Sequence, residues 1–237
     1  MNSASGAEGI YVYAPASQRL VLVRHGVTDW NREGRWQGRL DPPLSESGQH
    51  EATLVAARIV DDPDLRPARI LASTLSRATE TAAAIGETLG ITVEPEPRLL
   101  EIGAGEWEGR THAELEATDG QRYRAWRTTA GYGPPGGEPL TDASARVKAL
   151  LAEVEASSAW PVLLVSHGGI LRYLARELLD LDAERAEALD IDNASVSAAV
   201  RVDTGMWRLE RWNDTLHLLG RERTHIDEGA EGRPLAL

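Results

Sequence analysis

The sequence predicts an α/β fold, a three-layer sandwich whose mostly parallel central sheet is flanked by helices. Three observations carry that expectation. Short apolar runs, Leu20-Val21-Leu22-Val23 and Val162-Leu163-Leu164-Val165, sit between polar or Gly/Pro punctuation, as in strands covered on both faces. Segments between them place apolar residues three and four apart, the spacing of helices that cover such a sheet. Near the end, runs on either side of Asp203-Thr204-Gly205 read as a hairpin.

The elements follow in order. Residues 19–23 form the first strand, and a loop from Gly26 to Pro43 carries Trp30, Asn31, Trp36, Gln37 and Gly38. Ser45 is the N-cap of a helix whose apolar face is Ala52, Val55, Ala56 and Ile59. Arg69 to Ala72 give a second strand. From Ser73 or Thr74 a helix runs through Ala78, Ala82, Ile85 and Leu89, closed by Gly90 as a C′ glycine. Ile91 to Val93 form a third strand. Glu101 to Trp107 is irregular, and a helix begins near Thr111 with Glu114 completing a capping box. The run Gly133-Pro134-Pro135-Gly136-Gly137 makes Gly131 to Pro139 a loop. A helix over Thr141–Glu155, a strand over Pro161–Val165 and a helix over Ile170–Leu179 precede the hairpin, Ser195–Val202 and Met206–Trp212.

The 237 residues read as one domain over residues 18–220, with a tail rich in Ala, Ser and Gly before it (1–17) and a charged tail after it (221–237). The first stretch lacks the basic and apolar regions of a secretory signal, and no run of about 20 apolar residues suits a membrane helix. Zero cysteines exclude disulfides and thiolate metal sites, and fit a cytoplasmic protein. A net charge of −12 argues against a nucleic-acid partner. An anionic substrate fits only if a few arginines build a local positive pocket on an acidic body.

Those arginines are identifiable. The first and fourth strand runs deliver His25 and His167 to the carboxyl ends of parallel strands, where ligands of such sheets gather. Arg24, at the end of a buried strand, needs an anion or carboxylate because its guanidinium cannot be neutralised. Arg77 stands where a strand gives way to a helix N-terminus, a place that suits a bound phosphate better than a cation alone. Gly168-Gly169 lets backbone amides approach an oxyanion. Together these residues can hold an oxyanion and attack it.

Arg24-His25-Gly26-Val27-Thr28-Asp29-Trp30-Asn31, Gln37-Gly38, Leu44-Ser45, Ser73 with Arg77 and Thr81-Ala82, Glu101 with Gly105-Glu106-Trp107-Glu108-Gly109, and Ser166-His167-Gly168-Gly169 occur in that order. The set resembles the histidine phosphatase superfamily, with its phosphoglycerate mutases and broad-specificity phosphatases, across residues 19–218. The resemblance implies a phosphoglycerate mutase-like fold and a hydrolase working through a phosphohistidine. His25 would be the nucleophile, with its Nδ1–H held by a backbone carbonyl. Arg24, Arg77 and His167 would surround the phosphoryl oxygens. Asn31 would add a hydrogen bond, Thr28, Gln37, Gly38 and Gly168 would contribute to binding, and Glu101 would be acid and then base. No cofactor or metal is implied. The expected partner is a small phosphomonoester, with neither nucleic acid nor membrane, and family analogy points to a homodimer.

Three activities compete: hydrolysis, a phosphoglycerate mutase-type transfer, and a silent binding scaffold. The segment Gly105 to Thr111 looks like the phosphatase branch; where mutases carry a tyrosine this chain has Ala104, and residues 110–140 lack a long basic insertion. The complete set of pocket residues argues against a scaffold. Many relatives have a basic residue before the glutamate, whereas this chain has Leu100. Trp30, Trp36, Trp107, Trp126 and Tyr132 are candidates for an entrance wall, although tryptophan standing in for the absent phenylalanine explains most of them as packing. Glu138 is a candidate substrate contact. His50, His112, His217 and His225 read as surface residues.

Overall fold

A computed structural model describes residues 18–128, 132–182, 185–186 and 188–219. The expected tails and His225 lie outside the described residues. Six strands form one sheet: β1 (Arg19–Arg24), β2 (Arg69–Ala72), β3 (Val93–Pro95), β4 (Val162–Ser166), β5 (Val196–Arg201) and β6 (Trp207–Asp214), in the order β3-β2-β4-β1-β5-β6. β1 to β4 run parallel, while β5 and β6 add an antiparallel edge.

The period-two alternation of β1 explains the layers. Leu20 and Leu22 point into the core shared with α5 (Leu140–Ala156) and α6 (Gly168–Leu179). Val21 and Val23 point the other way, toward α2 (Glu46–Asp61) and α3 (Ser76–Leu89). A strand sealed on both sides has no polar face to keep, hence its unbroken apolar sequence. α1 (Asp29–Arg32) is a single turn, and α4 (His112–Thr128) bends at Asp119, where φ is −138°. No helix among the described residues is long and apolar enough to cross a membrane.

Several boundaries differ from the sequence expectation for local reasons. Ile91 is not in β3, because its N–H closes the end of α3 on the Gly86 carbonyl, with Gly90 left-handed at φ 68°. α3 starts at Ser76 rather than Ser73, because the Ser73 N–H extends the sheet edge to the Val165 carbonyl. α6 starts two residues early, its first turn closed by the Leu171 N–H on the His167 carbonyl. The anticipated capping box stands: the Thr111 N–H donates to Glu114 Oε2 at 2.8 Å and the Glu114 N–H to Thr111 Oγ1 at 3.2 Å.

β4 inserts between β1 and β2, which sets Arg24 opposite Ser166 in register. Each strand is followed at once by its histidine, so both imidazoles emerge side by side from the middle of the sheet.

Candidate active site

His25 and His167 are buried with ring centroids 5.1 Å apart. His25 Nδ1 lies 2.7 Å from the Gly26 carbonyl oxygen. A carbonyl only accepts, so Nδ1 carries the proton and Nε2 keeps its lone pair. Burial first, then the positive fields of Arg77 and Arg24, holds the His25 pKa well below the usual imidazole value, against the opposing bond to Gly26. The ring is therefore neutral at neutral pH, with the Nε2 lone pair free of a proton.

The loop bearing His25 is fastened from both flanking helices. The Gly26 N–H donates to Thr81 Oγ1 at 3.1 Å and the Val27 N–H to the buried Glu51 carboxylate at 2.8 Å. Gly26 tolerates no side chain, since a Cβ there would meet the Gly48 carbonyl oxygen at 2.5 Å. Thr28 is fully buried and does not line the cavity: it caps α1, and its N–H and hydroxyl both point at Asn31 Oδ1, at 3.1 and 3.0 Å. With its oxygen so engaged, the Asn31 amide directs its NH₂ elsewhere, and Asn31 lines the cavity.

His167 Nε2 is 2.7 Å from Ser73 Oγ, which accepts the Leu75 N–H at 3.4 Å. The other ring nitrogen, Nδ1, is buried without a hydrogen-bond partner among the described residues, and His167, like Thr28, stands behind the residues that line the cavity. Burial, followed by Arg77, lowers the His167 pKa well below normal as well.

Arg77 is 1% exposed. Its Nη1 donates to the Leu40 carbonyl and Nη2 to the Gly38 carbonyl, both at 2.9 Å. Gly38 thus acts through its carbonyl as well as lining the cavity. Burial pulls the Arg77 pKa down to about 10, partly offset by Glu101 and Asp41, and the group stays charged at neutral pH. Arg24 Nη1 donates to the Ile191 carbonyl at 2.6 Å. Gly168 does not line the cavity; it lies beside the Arg24 guanidinium, whose carbon is 3.5 Å from where a Cβ would stand, an ordinary contact that does not require glycine. Buried Gln37 does line it.

Glu101 faces the same cavity and sits on the N-terminus of α6. Its Oε1 accepts the Ile102 and Ile170 N–H groups at 2.9 and 3.2 Å, and Oε2 accepts the Gly169 N–H at 3.1 Å. A Cβ on Gly169 would stand 2.6 Å from Oε1, so glycine is what admits the carboxylate.

The cavity measures about 680 Å³, far more than a phosphate occupies. Trp36, Trp126, His112 and Tyr132 line it. His112 is therefore not a surface residue: its Nδ1 meets the Tyr123 hydroxyl at 2.7 Å and the Trp36 indole N–H at 3.3 Å. His217 is also partly buried, Nε2 bonding the Ala194 carbonyl at 3.0 Å, whereas His50 is exposed. Trp107, fully buried in a satellite core with Leu115 and Tyr123, is packing, and Trp30 does not reach the cavity. Glu138 is engaged elsewhere, gripping Arg146 through both oxygens at 2.8 and 2.9 Å and Arg39 at 3.1 Å. It ties the loop ending at Pro139 to the glutamate segment, where its N–H meets the Gly103 carbonyl at 2.9 Å.

One contributor escaped the sequence reading. Buried Asn193 places Nδ2 3.1 Å from the His25 carbonyl and 3.3 Å from Asn31 Oδ1. The Ala194 N–H reaches the same His25 carbonyl at 3.1 Å. The stretch from Ile191 to Ser195 thus braces Arg24, His25 and Asn31 from behind. Lone Asn and Asp residues in a loop carry no periodic signal, so nothing local marked it.

A family model described as the histidine phosphatase superfamily (branch 1) matches residues 20–215. The chain is 38% identical over 214 residues to the glucosyl-3-phosphoglycerate phosphatase of Mycobacterium tuberculosis, covering 83% of this chain and 95% of the relative. It is 36% identical over 209 residues to a Yersinia pestis protein named "probable phosphoglycerate mutase", with coverage of 84% and 94%. Among solved structures, the mycobacterial glucosyl-3-phosphoglycerate phosphatase complexed with VO3 superposes with a TM-score of 0.76 at 39% identity, covering 83% and 99% of the two chains.

Proposed function

The chain belongs to the histidine phosphatase superfamily and is a phosphomonoester hydrolase, and from this premise we propose that His25 carries the phosphoryl group between its two steps. His25 Nε2 attacks phosphorus as the bond to the ester oxygen breaks, and protonated Glu101 gives its proton to that leaving oxygen. The Glu101 carboxylate then takes a proton from water, whose oxygen attacks the phosphohistidine and frees His25. Arg24, Arg77, the Asn31 amide and His167 receive the charge on the phosphoryl oxygens.

The observation that carries this reading is the His25 Nδ1 bond to the Gly26 carbonyl, which fixes the nucleophilic tautomer inside a nest of cations. The substrate we propose is a glycosylated phosphoglycerate or a close analogue. The relative's name supports it, and so does a cavity with an aromatic wall large enough for a sugar ring. Rapid quench with such an ester should trap an acid-labile, alkali-stable phosphoprotein in the parent and none in His25→Ala. Equal labelling of both proteins would overturn the assignment. Phosphate release from 3-phosphoglycerate, rather than isomer exchange with a bisphosphate primer, separates hydrolysis from mutase chemistry.

We extend the reading to a metal-independent reaction in the cytoplasm by a homodimer. The arginines provide the neutralisation a metal would otherwise give, the chain has no cysteine, and dimerisation follows family analogy alone. Activity that survives chelation and the mass in analytical ultracentrifugation test the first and last of these.

A further inference from the structure

The cavity is charged out of proportion to the protein. The chain holds 37 acidic and 25 basic residues, yet the described residues lining the cavity include six cations, Arg24, Arg35, Arg77, Lys148, Arg172 and Arg176, and one acid, Glu101. Two of the six, Arg24 and Arg77, stand beside the histidines. Arg35 and Lys148 hold Glu33 and Glu177, at 2.5 and 3.4 Å. Arg172 and Arg176, each with contacts of its own, belong to α6.

Their spacing gives the pattern meaning. Gly169, Arg172, Tyr173 and Arg176 all line the cavity, the i, i+3, i+4, i+7 set of one helix face. The face begins where Gly169 receives Glu101 and runs away from the histidines. At 1.5 Å per residue, Arg172 and Arg176 stand about 4.5 and 10.5 Å further along the axis. Arg172 is half-buried, its Nε donating to the Leu189 carbonyl at 3.0 Å, and the Arg176 guanidinium carbon lies 5.9 Å from the Tyr173 ring centre. A planar guanidinium oriented through its own backbone or ring contact is suited to a carboxylate.

We propose that Arg172 and Arg176 form a second anion subsite, the one that receives the carboxylate which a phosphoglycerate-type ester carries on its leaving group. The inference rests on the hydrolase reading above and adds to it the residues that read the leaving group. One guanidinium, at Arg172, meets the carboxylate nearest the ester, and Arg176 extends the positive face toward the cavity mouth.

The test compares 3-phosphoglycerate with glycerol 3-phosphate, two esters that differ in the carboxylate, as inhibitors of p-nitrophenyl phosphate hydrolysis by the full-length protein. In the parent, 3-phosphoglycerate should bind at least tenfold tighter. Arg172→Met should collapse that ratio toward one, and Arg176→Met should reduce it about threefold. Equal inhibition constants in the parent, or a ratio unchanged in both variants, would overturn the subsite. Arg176→Met leaves the Leu189 contact intact and decides the matter if Arg172→Met does not fold. Should p-nitrophenyl phosphate not be hydrolysed at all, the hydrolase reading fails on its own. Calorimetric titration with the same two esters still judges the subsite.

Discussion

The two ends of the cavity are built on different plans. At the phosphate end, His25, His167, Arg24 and Arg77 are all at most 8% exposed, and each is fixed by a backbone carbonyl or a buried hydroxyl. At the far end, where we place the leaving group, Trp36, Trp126, Arg172 and Arg176 are only partly buried, and they stand on helices and loops where one side chain can change without moving a strand. Chemistry that is the same for every ester demands fixed atoms, because preorganised donors act without reorganising at the moment of reaction. Choice among esters demands a wall that can vary, and the fold separates the two along α6, whose first turn holds Glu101 while its next turns carry the cations.

That contrast can be broken in graded ways. His25→Ala should lower turnover of every ester by about 10⁴-fold or more, since it removes the proposed phosphoryl acceptor; residual activity near the parent's would sink the contrast at its root. Glu101→Gln should cost about 10²–10⁴-fold in kcat with an alkyl ester. It should cost less with p-nitrophenyl phosphate, whose leaving oxygen needs little help from an acid, and an equal loss on both esters would deny the role. Arg77→Ala, removing about 2.7–4 kcal/mol of transition-state stabilisation, should appear in kcat for substrates of any size. Asn193→Ala should lower kcat about tenfold, on the scale of about 1–1.5 kcal/mol for a buried hydrogen bond. KM should move less, because Asn193 positions His25 and Asn31 without touching the ester.

The smallest effect concerns stability. Both buried imidazoles have pKa values held well below 6.5, largely by burial, so below about pH 6.5 the unfolded chain binds more protons than the folded one. Stability from these groups is complete above that pH. It declines as pH falls toward the folded-state values, by up to about 1.4 kcal/mol per pH unit for each histidine. Urea unfolding between pH 5.5 and 7.5 should show that slope, and His167→Asn should remove about half of it.

Residues whose chemistry is local were readable in advance. Arg24 and His25 follow a strand that nothing but a doubly covered sheet explains, and Ser45, Gly90 and the Thr111–Glu114 pair announce helix ends through their own hydrogen bonds. Thr28, Gly168 and Glu138 also stood out, and the structure gives them contacts other than the cavity, in capping α1, packing beside Arg24 and fastening the loop before α5. The Thr28 contact is local, to Asn31 three residues on, whereas Gly168 meets Arg24 and Glu138 meets Arg39 from far along the chain, which spacing cannot reveal. The same holds for Asn193, Glu51 and His112, each of which meets its partner only after the sheet has formed.

The amino-acid order by itself determined the alternation of strand and helix, the delivery of two histidines to strand ends and the supply of arginine beside them, because periodicity, caps and buried charge are properties of neighbours in sequence. Only the tertiary structure decided which residues brace His25 from behind and which wall of the cavity is positive. Those outcomes depend on insertion of β4 beside β1 and on α6 turning one face inward, and such long-range placement sets distances that no local pattern encodes.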